Sequence, residues 1–95
     1  MRYLDFIWDD NKNKLNTKKH GISFMEALTV FADTNAMVSA DTEHSEREDR
    51  FIILGLSKRP RLLVVCHCYR ENDTIRIISA RKANTIEREL YGGAK

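Results

Sequence analysis

Residues 62–81 read Leu-Leu-Val-Val-Cys-His-Cys-Tyr-Arg-Glu-Asn-Asp-Thr-Ile-Arg-Ile-Ile-Ser-Ala-Arg. Two runs rich in β-branched residues flank the polar triplet Glu71-Asn72-Asp73. That pattern calls for strands over 62–69 and 74–82 joined by a short turn, which forces an antiparallel pair. A further strand, Phe51–Leu56, precedes a turn over Ser57–Arg61 that holds Pro60, the single proline. The three strands read as a meander. Within them stand His67, Arg70, Arg76 and Arg81, groups that a buried hairpin normally leaves out. Arginines projecting from a sheet in a small domain suggest a surface for phosphate.

Strict alternation puts Arg76 and Arg81 on opposite faces of the last strand, because their separation is odd. Arg81 then shares a face with Ile75, Ile77 and Ser79, and Arg76 shares one with Ile78 and Ala80. His67 and Tyr69 lie on one face, with Arg70 on the other or in the turn. Arg81, Ser79, His67 and Tyr69 are therefore expected to line one surface, with Arg76 behind them in packing or a salt bridge.

The rest of the chain supplies helices for this sheet. Residues 2–8 alternate loosely and read as a short strand. Asp9 is placed to cap a helix running to about Lys19, with Gly21 as its stop and Lys18, Lys19 and His20 in the last turn, where cations suit the helix dipole. Its apolar stripe is thin and three Asn weaken it. Ser23-Phe24-Met25-Glu26 is a capping box, and Phe24, Ala27, Leu28 and Phe31 form one apolar helical face, ended by Asp33-Thr34-Asn35. A strand is expected over 36–40 and a polar, acidic loop over 41–49. Asn84 caps a last helix over Thr85–Tyr91, with Glu87 at its third position and Gly92-Gly93 as its stop. The order β-α-α-β-β-β-β-α makes an α+β fold, a mainly antiparallel sheet with two N-terminal helices and one C-terminal helix packed on it.

Ninety-five residues form a single domain over 1–95, large enough to fold without disulfides or metal. No apolar run reaches the roughly 18 residues of a membrane span, and acids interrupt the N-terminus where a signal peptide needs an apolar core. The expected location is the cytoplasm. Charge is uneven: residues 1–49 carry six Lys/Arg against ten Asp/Glu, while residues 50–95 carry ten against four, and seven of those ten cations are Arg. By itself this asymmetry is also what a solvated surface gives. Cys66 and Cys68 are the only cysteines. In a strand they share a face about 6.6 Å apart, near the upper limit for a disulfide, and His67 points away from both. Structural zinc needs four ligands, so neither a metal site nor a cofactor is expected, and the pair reads as two small buried side chains.

For each candidate an ordinary structural role stands beside the chemical one. A strand His such as His67 is commonly structural, and His20 is explained by the dipole. Glu46 and Arg50, four apart, can form a local ion pair. An Arg can snorkel or pair with an acid such as Glu87. Trp8 and Tyr91 suit packing better than base stacking. No Gly-rich phosphate loop, Ser-His-Asp order or nucleophile elbow is present. Residue types alone lead to a small basic α+β domain suited to nucleic acid.

Longer blocks go further: Phe6-Ile7-Trp8-Asp9; Asn16-x-x-Lys19-His20-Gly21-Ile22-Ser23-Phe24; Ala27-x-x-Val30-Phe31-x-Asp33; Glu46-x-x-x-Arg50-Phe51; Gly55; Val64-Val65; Arg76-Ile77-Ile78-Ser79-Ala80-Arg81-x-Ala83; and Glu87-Arg88-x-x-Tyr91. With these in order from 6 to 91, the chain resembles the BrnT family of bacterial toxins from type II toxin–antitoxin systems. His67-Cys68-Tyr69-Arg70 departs from the His-Thr-like segment of many relatives. The resemblance implies a RelE-like fold, RNA cleavage that arrests translation, and a BrnA-type antitoxin with a ribbon–helix–helix domain. Toxin and antitoxin would form a heterotetramer that binds operator DNA through the antitoxin and represses its own operon.

Metal-free RNA cleavage needs a base for the 2′-hydroxyl, cations for the charged phosphorane and an acid for the leaving oxygen. The expected base is Glu46 or His67, with Arg50, Arg70 and Arg81 stabilising charge. Lys19, His20, Arg76 and Arg88 are expected to contact the RNA backbone. The rival is a non-catalytic nucleic-acid-binding subunit of a repressor complex.

Overall fold

Asp9 and Gly21 bound the first helix as their chemistry requires. The Asp9 carboxylate accepts from the Asn11 and Lys12 N–H groups, and Gly21 ends the helix at φ 71°, a left-handed conformation that glycine adopts without cost. In this computed structural model, which describes residues 5–93, the elements are β1 (Asp5–Ile7), α1 (Asp10–His20), α2 (Phe24–Leu28), β2 (Met37–Ala40), β3 (Phe51–Leu56), β4 (Leu62–Arg70), β5 (Thr74–Lys82) and α3 (Thr85–Gly93). The portion of the expected first strand over residues 2–4 lies outside the described residues. The second helix ends at Leu28 and tightens into a 3-10 turn over Thr29–Ala32; a second such turn, Thr42–His44, interrupts the acidic loop. Helix α3 runs through Gly92 instead of stopping before it.

The five strands are ordered β1-β5-β4-β3-β2, with β1 parallel to β5 and every other pairing antiparallel. Asn72 and Asp73 close the β4–β5 hairpin at φ 61° and 57°, values that Asn and Asp tolerate. Since β1 and β2 occupy opposite edges, the chain between them crosses one face, carrying α1 and α2. There Ile22, Phe24, Ala27 and Val30 pack on Ile53, Leu63, Val65, Ile75, Ile77 and Ala80. Burying a side chain such as Phe24 or Leu63 contributes roughly 1.5–3 kcal/mol, so this layer dominates the core. A smaller cluster on the other face, Leu54, Val64 and Ala83, is covered by Tyr91 of α3, whose hydroxyl donates to Asp33 at 2.7 Å.

The asparagines that weaken α1 as a helix tie it to the sheet. Asn16 is buried, donates to the Ile22 and Ala80 carbonyls at 2.9 and 2.8 Å, and accepts from the Ala80 N–H at 3.1 Å. It serves β5 as a strand neighbour would, beyond the short reach of β1. Asn13 accepts from the Phe24 N–H, linking the two helices.

The β4–β5 pairing carries the main departure from the expected geometry. Cys66 pairs with Ser79, but His67 pairs with Ile77, so Ile78 is an extra residue and forms a bulge. An added residue reverses the alternation beyond it. Arg76 opposes Cys68, and Arg81 opposes Val64, so both arginines lie on the face of the cysteines. The expected grouping of Arg81 with Ile75, Ile77, His67 and Tyr69 is thereby corrected: those four belong to the opposite face.

Candidate functional site

Arginines on the cysteine face fall into two kinds of setting. Arg81 makes a two-pronged contact with Glu87, Nη1 to Oε1 and Nη2 to Oε2, both 2.8 Å. Glu87 also closes a reciprocal cap with Asn84, each backbone N–H donating to the other's side chain at 2.8 Å. Arg81 and Glu87 thus join β5 to the first turn of α3, and the guanidinium holds the Glu87 carboxyl below its ordinary range, against the opposing effect of burial.

Around Glu48 the geometry is different. This carboxylate lies 3.6 Å from Arg50 Nε, 3.6 Å from Arg70 Nη1 and 3.7 Å from Arg76 Nη1. Three cations face one anion, and each distance is too long for a hydrogen bond. Arg50 Nε is buried without any hydrogen-bond partner among the described residues. The three side chains are nonetheless partly exposed, so their terminal guanidinium nitrogens can meet a bound anion. Glu48 also sits near Cys68, whose thiol is pushed up by burial and by that negative charge. The loop over residues 41–50 therefore folds across the sheet face at the cysteines. The partner of Arg50 is Glu48, not Glu46 as the four-residue spacing suggested; Glu46 is exposed and has no ion pair among the described residues.

His67 lies on the opposite face and is fully buried. Its ring packs edge-on against Phe31 at 4.8 Å, Nδ1 is 3.2 Å from the Val65 carbonyl and Nε2 is 3.3 Å from the Tyr69 hydroxyl. Desolvation depresses its pKa and favours the neutral ring. The consistent arrangement has Nδ1–H donating to Val65 and Tyr69 donating to Nε2. His67 orients the half-exposed Tyr69 and does not reach the arginine face.

A groove of about 610 Å³ opens beside Arg50 and reaches Arg81, lined also by Asp41, His44, Cys66 and Ser79 among others. A hollow beside it holds Glu46, Arg47 and Glu48 and shares His44 and Arg50 with the groove. Beyond Ile78 and Ser79, which border both, Lys19 and His20 at the end of α1 line a shallow hollow along the β5 edge. Arg88 is exposed on α3, outside these surfaces. The structure thus brings together Arg50, Arg70 and Arg76, sets Arg81 at the groove's far wall, and separates His67 from all of them. Glu48, two residues before Arg50, was missed by sequence reasoning, as were Asp41 and His44, whose only linear signal is their three-residue spacing. Among the described residues no group of three or more His, Cys, Asp or Glu side chains is placed to hold a metal ion, and no helix is long and apolar enough to cross a membrane.

The family model described as ribonuclease toxin, BrnT, of type II toxin–antitoxin system matches residues 8–87. The crystal structure of the Brucella abortus ribonuclease toxin BrnT is similar over 87% of this chain and 100% of that one, with a TM-score of 0.66 and 22% identity. At that identity the likeness concerns the fold. No curated protein sequence matches the chain.

Proposed function

The chain belongs to the BrnT family of ribonuclease toxins of type II toxin–antitoxin systems, and from that premise we propose that it is a metal-independent endoribonuclease acting in the cytoplasm to stop translation. The convergence of Arg50, Arg70 and Arg76 on a single carboxylate, with guanidinium donors left unspent, carries this reading. A phosphate drawn to that cluster exchanges long contacts with Glu48 for charge-assisted hydrogen bonds. As negative charge grows on the phosphorane, the same donors stabilise it more strongly than the ground state.

The arrangement redistributes the expected roles. Arg50 and Arg70 retain charge stabilisation and are joined by Arg76, while Arg81 anchors α3 from the groove wall. Lys19 extends the cationic surface along the β5 edge for the RNA backbone, with His20 beside it and Arg88 a peripheral contact. His67 acts through Tyr69. Glu46 remains a carboxylate at the rim, beside Glu48. Family membership further supports a protein antitoxin as partner; the finer reading is a BrnA-like ribbon–helix–helix protein, a heterotetramer and repression of the shared operon.

The test is purified protein incubated with total RNA in EDTA, with binding followed over a salt series. Cleavage that survives chelation is the expected result. RNA binding that weakens with salt while every strand stays intact would instead identify a nucleic-acid-binding subunit of a repressor complex.

A further inference from the structure

RNA cleavage through the 2′-hydroxyl needs a base, and the groove contains a side-chain pair suited to that task. His44 Nδ1 lies 3.1 and 3.0 Å from the two oxygens of Asp41. The Asp41 side chain is mostly buried, at 15% exposure, whereas His44 is 63% exposed. Asp41 is itself held: its N–H donates to the Arg50 carbonyl at 2.8 Å, and the Cys66 thiol beneath it points at Oδ2 from 3.7 Å. Burial and the Asp41 charge push that thiol up to about 11, so it keeps its proton at neutral pH. A fixed carboxylate holding one ring nitrogen sets the tautomer and leaves the other nitrogen as a lone-pair base. His44 lines both the groove that contains Arg81 and the hollow that contains Glu48, with Arg50 common to the two.

Resting on the ribonuclease assignment, we propose that His44 is the general base of RNA cleavage and Asp41 its positioning residue. His44 Nε2 takes the proton of a 2′-hydroxyl while the 2′-oxygen attacks the adjacent phosphorus. The bond from phosphorus to the 5′-oxygen breaks, and that oxygen leaves with a proton from water. The products are a 2′,3′-cyclic phosphate and a 5′-hydroxyl, with the phosphorane charge borne by Arg50 and its neighbours. The surroundings of the imidazole are mixed in sign: Asp41, Glu43, Glu46 and Glu48 against Arg47 and Arg50 from its own loop. Cys66 from β4 and Arg81 from β5 complete them.

The experiment compares wild type, His44→Gln, Asp41→Asn and the double variant in single-turnover cleavage of an RNA oligonucleotide, alongside RNA affinity and far-UV circular dichroism. A positioned base contributes on the order of 10²–10⁴-fold, so His44→Gln is expected to lose that much with affinity and fold retained. Asp41→Asn is expected to be impaired, and the double variant no worse than His44→Gln, because the carboxylate acts only through the ring. Exogenous imidazole is expected to restore part of the activity of His44→Ala, a readout that a structural role would not move. Wild-type cleavage matched by undiminished His44→Gln cleavage overturns the dyad and leaves the ribonuclease reading standing. Absence of cleavage by wild type overturns both.

Discussion

Arg61 and Arg50 are the same residue type, each one residue ahead of a strand of the same sheet, yet they occupy opposite regimes. Arg61, in the turn before β4, is anchored through Nε and Nη2: it grips both oxygens of Glu26, with Nε to Oε2 at 2.9 Å, and donates to the Gly21 carbonyl at 3.1 Å. Ser57 donates to the same carboxylate at 2.7 Å. Arg50, with Arg70 and Arg76, stays at 3.6–3.7 Å from Glu48 and makes no hydrogen bond with it. A guanidinium anchored by hydrogen bonds to a buried carboxylate holds elements together and is not free to turn to a ligand. One held only by long ion contacts adds less to the fold, and its exposed nitrogens can turn to phosphate. Hydrogen bonding to a carboxylate, not charge or position in sequence, separates the two groups.

The comparison breaks most visibly at Arg61. Its removal leaves the Glu26 carboxylate, 6% exposed, without its cation. Arg61→Ala is expected to lower the unfolding free energy by about 3 kcal/mol in urea titrations. The Glu26 pKa in the fold lies below 4.5, chiefly through the Arg61 hydrogen bonds. The stabilisation is therefore present above pH 4.5 and lost as pH falls through the lowered value. The gap between wild type and Arg61→Ala should close in acid; a constant gap down to pH 2 would contradict the linkage.

Arg50→Ala should do the reverse. We expect a cleavage rate lower by about 10²–10³-fold, from loss of a donor worth about 3 kcal/mol in the transition state, with the urea midpoint nearly unchanged. Equal losses of rate and stability would erase the distinction between the two settings. The smallest effect belongs to Arg81, gripped by Glu87 but 44% exposed on its side chain. Arg81→Ala should cost about 1 kcal/mol of stability after solvent screening, with faster hydrogen exchange in the first turn of α3. Cleavage falling as steeply as in Arg50→Ala would move Arg81 into the charge-stabilising group.

Much of the fold was legible because its signals are local. Asp9 and Gly21 mark α1, Asn84 and Glu87 mark the start of α3, and the β-branched runs mark β3, β4 and β5. The capping box at Ser23 was half right. Ser23 accepts from the Glu26 N–H, but the Glu26 side chain turns away to Arg61, 35 residues distant. Less of the candidate site was legible. Arg50 and Arg70 were singled out for charge stabilisation and Arg76 for the RNA backbone, and the convergence of all three on one carboxylate was not foreseen. Glu48 was passed over in favour of Glu46, since spacing rules that hold on a helix carry no force in an irregular loop.

What the sequence determined by itself is the repertoire: an α+β meander, its caps and turns, family membership and a supply of arginines. Those depend on neighbours within a few residues, and on blocks whose order survives any description of their contacts. Tertiary structure decided which arginine does what. One extra residue, Ile78, reverses the parity of β5 and places Arg76 and Arg81 on a common face. The fold of the 41–50 loop across that face then sets Glu48 among three cations and His44 beside Asp41. A bulge and a loop path have weak local signatures, because their energies come from pairing and packing with residues far away in the chain.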